Sequence, residues 1–152
     1  MIPRDLAALL LAVATGCGSA APTPEEEVRG VLAALEAAAE AGDASGFAEL
    51  VSAAYRDAEG HDREKLKSFV AFHVMRSGRG REVIVRVRDV SFPEPARAAV
   101  TLAVGLAGAG SQSRPGGLGT SVYAVDLDLT REGDAWRVSW AQWRPAPATD
   151  LF

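Results

Sequence analysis

The chain has one cysteine in 152 residues, Cys17. A single cysteine cannot close an internal bridge, so this is not a fold stapled by disulfides. Histidine is scarce as well: His61 and His73 stand twelve positions apart, without metal-ligand spacing and without a second cysteine. That excludes an ordinary zinc site, and no metal or cofactor is expected. Basic charge is not in excess: 16 Lys and Arg stand against 20 Asp and Glu, a net charge of −4. A nucleic-acid surface usually shows the opposite balance. The imbalance is also too small for an acidic disordered tail. No apolar run reaches the roughly 20 residues that a bilayer-crossing helix needs. There is no internal repeat.

Other chemistries fail on spacing. Gly116-Gly117-Leu118-Gly119 does not lead into a helical pattern, so it is no phosphate cradle. Ser111, Ser113, Ser121 and Ser139 have no histidine at a recognisable spacing, which leaves a hydrolase triad without support. Asp126 and Asp128 alternate with apolar residues, as on a solvated strand face, rather than cluster as in a calcium loop.

The N-terminal segment is organised differently from the rest. Met1 to Arg4 precede an apolar run from Leu6 to Ala14, followed by Thr15-Gly16-Cys17 and a Gly/Ser/Ala/Pro stretch. The alternative, a buried helix over Leu6 to Val13, would show an amphipathic period and a cap, and this run shows neither. Its length suits the core of an export signal. The segment resembles a bacterial lipoprotein signal peptide, in which small residues precede a lipidated cysteine. The resemblance implies a signal over 1–16, then Cys17 lipidated with several acyl chains (palmitate among them) and a tether over 17–23. The protein would then be membrane-anchored in the cell envelope and face the periplasm. Two or more acyl chains make such attachment stable, and lipidation removes a free thiol from an oxidising compartment. Gly18 stands where related lipoproteins carry an inner-membrane retention Asp, which favours the outer membrane.

What remains is one domain's worth of chain, 24–146, with a tail over 147–152. Thr23-Pro24-Glu25-Glu26 is a helix start with a capping box and proline at the first position. Val28, Val31, Leu32 and Leu35 give that helix an apolar stripe, and Gly42 ends it. Asp43 caps a second helix with Phe47, Leu50 and Val51 on one face; the chain breaks around Tyr55 to Gly60; Asp62 caps a third helix carrying Leu66, Phe69, Val70 and His73. From Arg81 the period becomes alternating, with Val83, Val85 and Val87 on one strand face. Pro93 and Pro95 mark a turn, and strands follow over Arg97–Leu106, Ser121–Thr130 and Trp136–Arg144. Trp136, Val138 and Trp140 share a face, with Trp143 on the other unless a bulge intervenes. The fold class is α+β: three N-terminal helices on a curved antiparallel four-stranded sheet.

Ala41-Gly42-Asp43 ending the first helix, Phe47 and Leu50, the Tyr55-x-Asp57 stretch, and Trp136-Arg137-Val138 before Trp143 occur in the order of the nuclear transport factor 2-like superfamily, which the chain resembles over about 25–145. The resemblance implies a cone-like sheet wrapped around helices, often enclosing a pocket and often dimeric through the sheet. Its members include isomerases, polyketide cyclases, dehydratases and binding domains without chemistry, so fold does not give function. Isomerase-like members carry a tyrosine on the inner face of the first helix, where this chain has Leu32 and Leu35.

The principal expectation is a non-catalytic domain that binds a small apolar ligand or a partner protein, with Tyr55, Phe69, His73, Tyr123 and Trp140 lining the pocket. The alternatives are a cyclase- or isomerase-type enzyme using Asp57 or His73 as base, and a structural dimeric module. Asp57 and Glu59 also flank Gly60, where turn carboxylates commonly satisfy loop amides. Arg76, Arg79, Arg81, Arg86 and Arg88 form a local basic cluster, suited to lipid head groups, to an anionic ligand or simply to a solvated strand face.

Overall fold

The computed structural model describes residues 18–77, 82–107 and 121–152, with backbone alone for 73–77. The signal segment, Cys17, Arg79, Arg81 and the glycine-rich stretch with Ser111 and Ser113 lie outside the described residues, as do the side chains of His73 and Arg76.

Helix α1 (Pro24–Ala41) starts where the capping box sets it. Glu26 N–H donates to Thr23 Oγ1 at 3.2 Å and Thr23 N–H to Glu26 Oε2 at 2.7 Å. The Thr23 backbone N–H first, and then the Thr23 side chain, hold the Glu26 carboxyl below its ordinary pKa. At the far end Gly42 takes the left-handed conformation (φ 73°), and Gly42 and Asp43 N–H close on Ala39 and Ala38 carbonyls in a Schellman arrangement. Asp43 then caps α2 (Ala44–Glu49) by accepting from Gly46 N–H at 2.8 Å.

The chain next enters a strand, β1 (Val51–Asp57), where the sequence pattern suggests a helix face followed by a break. Helix α3 (Arg63–Ser77) follows, then β2 (Glu82–Glu94), β3 (Arg97–Ala107), β4 (Ser121–Glu132), β5 (Ala135–Pro145) and a 3-10 turn at Ala148–Leu151. Among the described residues the sheet therefore has five strands, not four, in the order β1-β5-β4-β3-β2, with β1 parallel to β5 and the other pairings antiparallel. The reason β1 escapes a pattern reading is its register. Val51 pairs with Val138 and Arg56 with Trp140, so more residues lie between the β1 positions than between their partners. The surplus bulges, Ser52 Oγ accepts Ala54 N–H at 3.1 Å, and alternation is lost. Long-range pairing with β5 makes this segment a strand, in spite of its local pattern. Pro93 also falls inside a strand; β2 is a sheet edge, where a missing donor is tolerated.

A bulge in β5 reassigns the tryptophans. Leu129 faces Val138 but Asp128 faces Trp140, leaving Ser139 unopposed. Ser139 Oγ accepts from Thr130 Oγ1 at 3.0 Å and donates to the Asp128 carbonyl at 3.2 Å. Trp136 and Val138 face the helices, Trp140 turns outward, and Trp143 returns to the helix side opposite Val125.

The main core lies between helices and sheet: Val28 and Leu32 of α1 meet Val51, Tyr55, Val100, Leu102, Leu129, Trp136 and Val138. Helix α1 also closes the β2 edge, with Val85 and Val83 N–H donating to Glu36 and Glu40 Oε1 at 3.2 Å each. The Glu27 carboxylate ties α1 to the β4–β5 hairpin. Arg131 Nη1 and Nη2 reach it at 2.8 and 3.4 Å, and Trp136 Nε1 at 2.9 Å. Arg131 also lies 5.7 Å above the Trp136 ring, whose other neighbour is Phe92, edge-on at 5.8 Å. A smaller apolar cluster sits on the opposite face of the sheet, where Leu151 packs on Ala103, Val122 and Ile84.

Charge-assisted hydrogen bonds of this kind contribute about 1.5–3 kcal/mol each where buried, less where water competes. Glu27→Ala removes three such bonds, two to the partly exposed Arg131 and one to the buried Trp136, and leaves the Trp136 N–H without its acceptor. We expect a loss of about 1–3 kcal/mol, read as a lower urea midpoint at an unchanged m-value.

Candidate functional site

Strand β1 buries three polar side chains in an otherwise apolar interior: Ser52, which serves the strand's own bulge, and Tyr55 and Asp57, which the interior treats oppositely. Asp57 ends the strand and is 6% exposed. Its Oδ1 accepts Glu59 N–H at 2.9 Å and His61 N–H at 2.8 Å, while Oδ2 lies 2.8 Å from His61 Nδ1. The loop can fold back in this way because Gly60 adopts φ 84°. Burial by itself would raise the Asp57 pKa. The hydrogen bonds from His61 and Glu59, with the His61 charge, outweigh it and hold the carboxyl below its ordinary value. Since Nδ1 serves the carboxylate, Nε2 is the His61 nitrogen left for other partners.

Tyr55, two residues earlier, is fully buried. Among the described residues no group lies within hydrogen-bond reach of its hydroxyl. Burial first, and then the negative charge of Asp57, raise the phenol's pKa, so it stays a neutral donor. An unpaired buried hydroxyl costs about 1–3 kcal/mol.

The remaining candidate positions divide. Phe69 of α3 is half-exposed and stacks on Trp143, with ring centroids 6.5 Å apart. Tyr123 faces Val104 across the β3–β4 pair, on the inner face. Thus Tyr55, Phe69 and Tyr123 belong to the helix side of the sheet, joined there by Trp143. Trp140 stands on the outer face opposite Asp128 and is not brought to them. His73 lies on α3, its side chain outside the described residues. Beside Asp57 a hollow of about 160 Å³ is lined by Ala58, Glu59, Ala141, Gln142 and Trp143. A wider open groove, about 730 Å³, lies between α1 and the β4–β5 hairpin over Gly30, Ala34, Leu50 and Trp136. Among the described residues no group of three His, Cys, Asp or Glu side chains is placed to hold a metal.

The link from Asp57 to the His61 ring and the role of Trp143 are absent from the sequence expectations. The first has a signal, an Asp and a His four residues apart across a glycine turn. The second depends on the Ser139 bulge and has none.

No protein-family model matches this chain, and no curated protein matches it. Solved structures do. A candidate scytalone dehydratase from Novosphingobium aromaticivorans superposes with a TM-score of 0.67 at 12% identity, over 84% of this chain and 87% of that one. A domain of unknown function with a cystatin-like fold from Nostoc punctiforme gives 0.65 at 18% identity, over 84% and 81%. A variant of a protein named Rd1NTF2 gives 0.63 at 15% identity, over 80% and 100%. At these identities the likeness defines the fold, which is nuclear transport factor 2-like.

The sign of the Asp57 shift fixes an acid dependence. Its folded pKa lies below the unfolded value of about 3.9, so its stabilisation is complete above that value and is lost as pH falls through the folded pKa. Asp57→Asn keeps the shape but not the charge. The stability difference between wild type and Asp57→Asn should shrink as pH falls below about 4, as measured by urea unfolding across pH.

Proposed function

We propose that this chain is a lipid-anchored binding protein of a bacterial cell envelope, held by acyl chains on Cys17 and facing the periplasm. Its cone takes a small, largely apolar ligand carrying one neutral hydrogen-bond acceptor. The observation that carries the ligand reading is the Tyr55 hydroxyl, a neutral donor buried among Val, Leu and Trp side chains with no partner among the described residues. Ligand sites are mostly apolar, with a few placed polar groups that orient the ligand. A ligand carbonyl, ether or hydroxyl oxygen would satisfy this donor, whereas an anion would be opposed by Asp57.

Binding without turnover is the better reading because of Asp57. A general base works best with a pKa near the operating pH and within reach of the substrate proton. Asp57 is held low and bonded to two backbone N–H groups and an imidazole. The cyclase or isomerase alternative requires that carboxylate to be released from its own loop.

Native mass spectrometry of gently extracted protein tests the ligand reading, and the same spectrum reports the oligomeric state. Wild type should retain a small apolar adduct that Tyr55→Phe loses. Without ligand, Tyr55→Phe should be as stable as wild type, or up to about 1–3 kcal/mol more stable, since it deletes an unpaired hydroxyl. Wild type that stays ligand-free after exposure to envelope extracts would sink the proposal. The anchor is tested separately: wild type should partition with membranes, and Cys17→Ser with the soluble fraction.

A further inference from the structure

The outer face of the sheet holds a built contact that neither the cone nor the anchor uses. Leu151 is 5% exposed, whereas Phe152 beside it is fully exposed and Ala148 and Thr149 face water. Beyond Pro147 the segment therefore buries one side chain, Leu151, against the sheet. That side chain enters a dimple whose depth depends on glycine: a Cβ on Gly105 would stand 2.6 Å from Leu151 Cδ1. Ala103, Val122 and Ile84 form the walls. The rim is basic. Arg86 Nε donates to the Leu151 carbonyl at 3.2 Å, and Arg88 Nη2 donates to the Asp150 carbonyl and lies 4.0 Å from the Asp150 carboxylate. Two members of the arginine cluster thus face an acid and two main-chain carbonyls.

We propose that this dimple is a peptide-recognition socket for an acidic segment bearing an Asp–Leu pair in a 3-10 turn, and that residues 148–151 are its resident, displaceable occupant. The resident shows what the socket reads: a leucine knob, a carboxylate and two successive carbonyls. Only the first two depend on sequence, so a segment of another protein with the same pair presents every group the socket contacts. Displaceability follows from the balance of the contact. One buried leucine and bonds from two exposed arginines are set against the ordering of the residues that carry them, which leaves a contact that a competing segment can displace. Pro145 and Pro147 stiffen the link, and Ala146 N–H stays bonded to the Val122 carbonyl at 2.9 Å, so release beyond Pro147 leaves the sheet paired.

The test uses the full chain with Leu151→Asp, which withdraws the resident knob, and the labelled peptide Pro-Ala-Thr-Asp-Leu-Phe as probe. Fluorescence anisotropy should show saturable binding to the variant and at least ~10-fold weaker binding to wild type, where the tethered resident competes at an effective concentration near millimolar. Adding Arg88→Glu should weaken binding at least ~10-fold, since it turns an attraction for the acidic probe into repulsion. A probe with Asp in place of its Leu should not bind. Leu151→Ala replaces Leu151→Asp if the latter does not melt cooperatively. The proposal is overturned if a folded variant shows no saturable binding at millimolar probe, or if wild type binds as tightly as the variant.

Discussion

One carboxylate fixes how the helices sit on the sheet. Glu27 accepts from Arg131 and Trp136 on the two strands of the β4–β5 hairpin, and so holds the first turns of α1 against the far end of the sheet. With that end fixed, Val28 and Leu32 fall on Leu129 and Val100, while Glu36 and Glu40 reach the β2 edge at the other end of the helix. Helix α1 then acts as both the floor of the cone and the cover of an edge that would otherwise offer free N–H groups to another strand. Beside the stability that these bonds contribute, Glu27 sets direction, because an apolar stripe alone would tolerate α1 at several positions along the strands.

Elements with local punctuation were legible in the sequence, and those created by long-range pairing were not. Thr23, Pro24 and Gly42 mark the ends of α1 because caps act within a few residues. Val83, Val85 and Val87 of β2 and the alternation in β4 mark strands because those stretches keep their period; β2 loses it only beyond Val87. Strand β1 was not legible, since its bulge erases alternation and its partner, β5, lies some eighty positions on. The tryptophan faces were misassigned from Trp140 onward for the same kind of reason: Ser139 costs one residue of register, and nothing in its own chemistry announces a bulge. Of the candidate site, Tyr55 and Asp57 could be named in advance, but not their opposite fates. Those depend on how the loop through Gly60 folds back, which serves Asp57 and leaves Tyr55 alone.

That contrast bears on what the interior is for. A chain under selection for stability alone gains by pairing or deleting a buried hydroxyl. Phenylalanine at position 55 would fill the same space without an unpaired donor. Asp57 shows that this loop can satisfy a buried polar group completely. A donor with no partner among the described residues, beside a fully paired acceptor, is therefore not explained by crowding in the loop, and it is the kind of local inconsistency that marks a functional position more often than a structural one.

The sheet also brings its two faces into close communication. Val104 faces the cone and Gly105, the next residue of β3, opens the socket on the outside. Tyr123 and Val122 stand in the same relation on β4. Occupants of the two faces are thus separated by a single layer of backbone, in the half of the sheet where β3 and β4 adjoin residues 108–120. Leaving or filling the outer socket changes the packing on one side of a strand pair whose other side belongs to the cone. Any coupling between the two faces would be reciprocal: an occupant of the inner face that changed the hold on Leu151 would be affected to the same extent by the loss of Leu151.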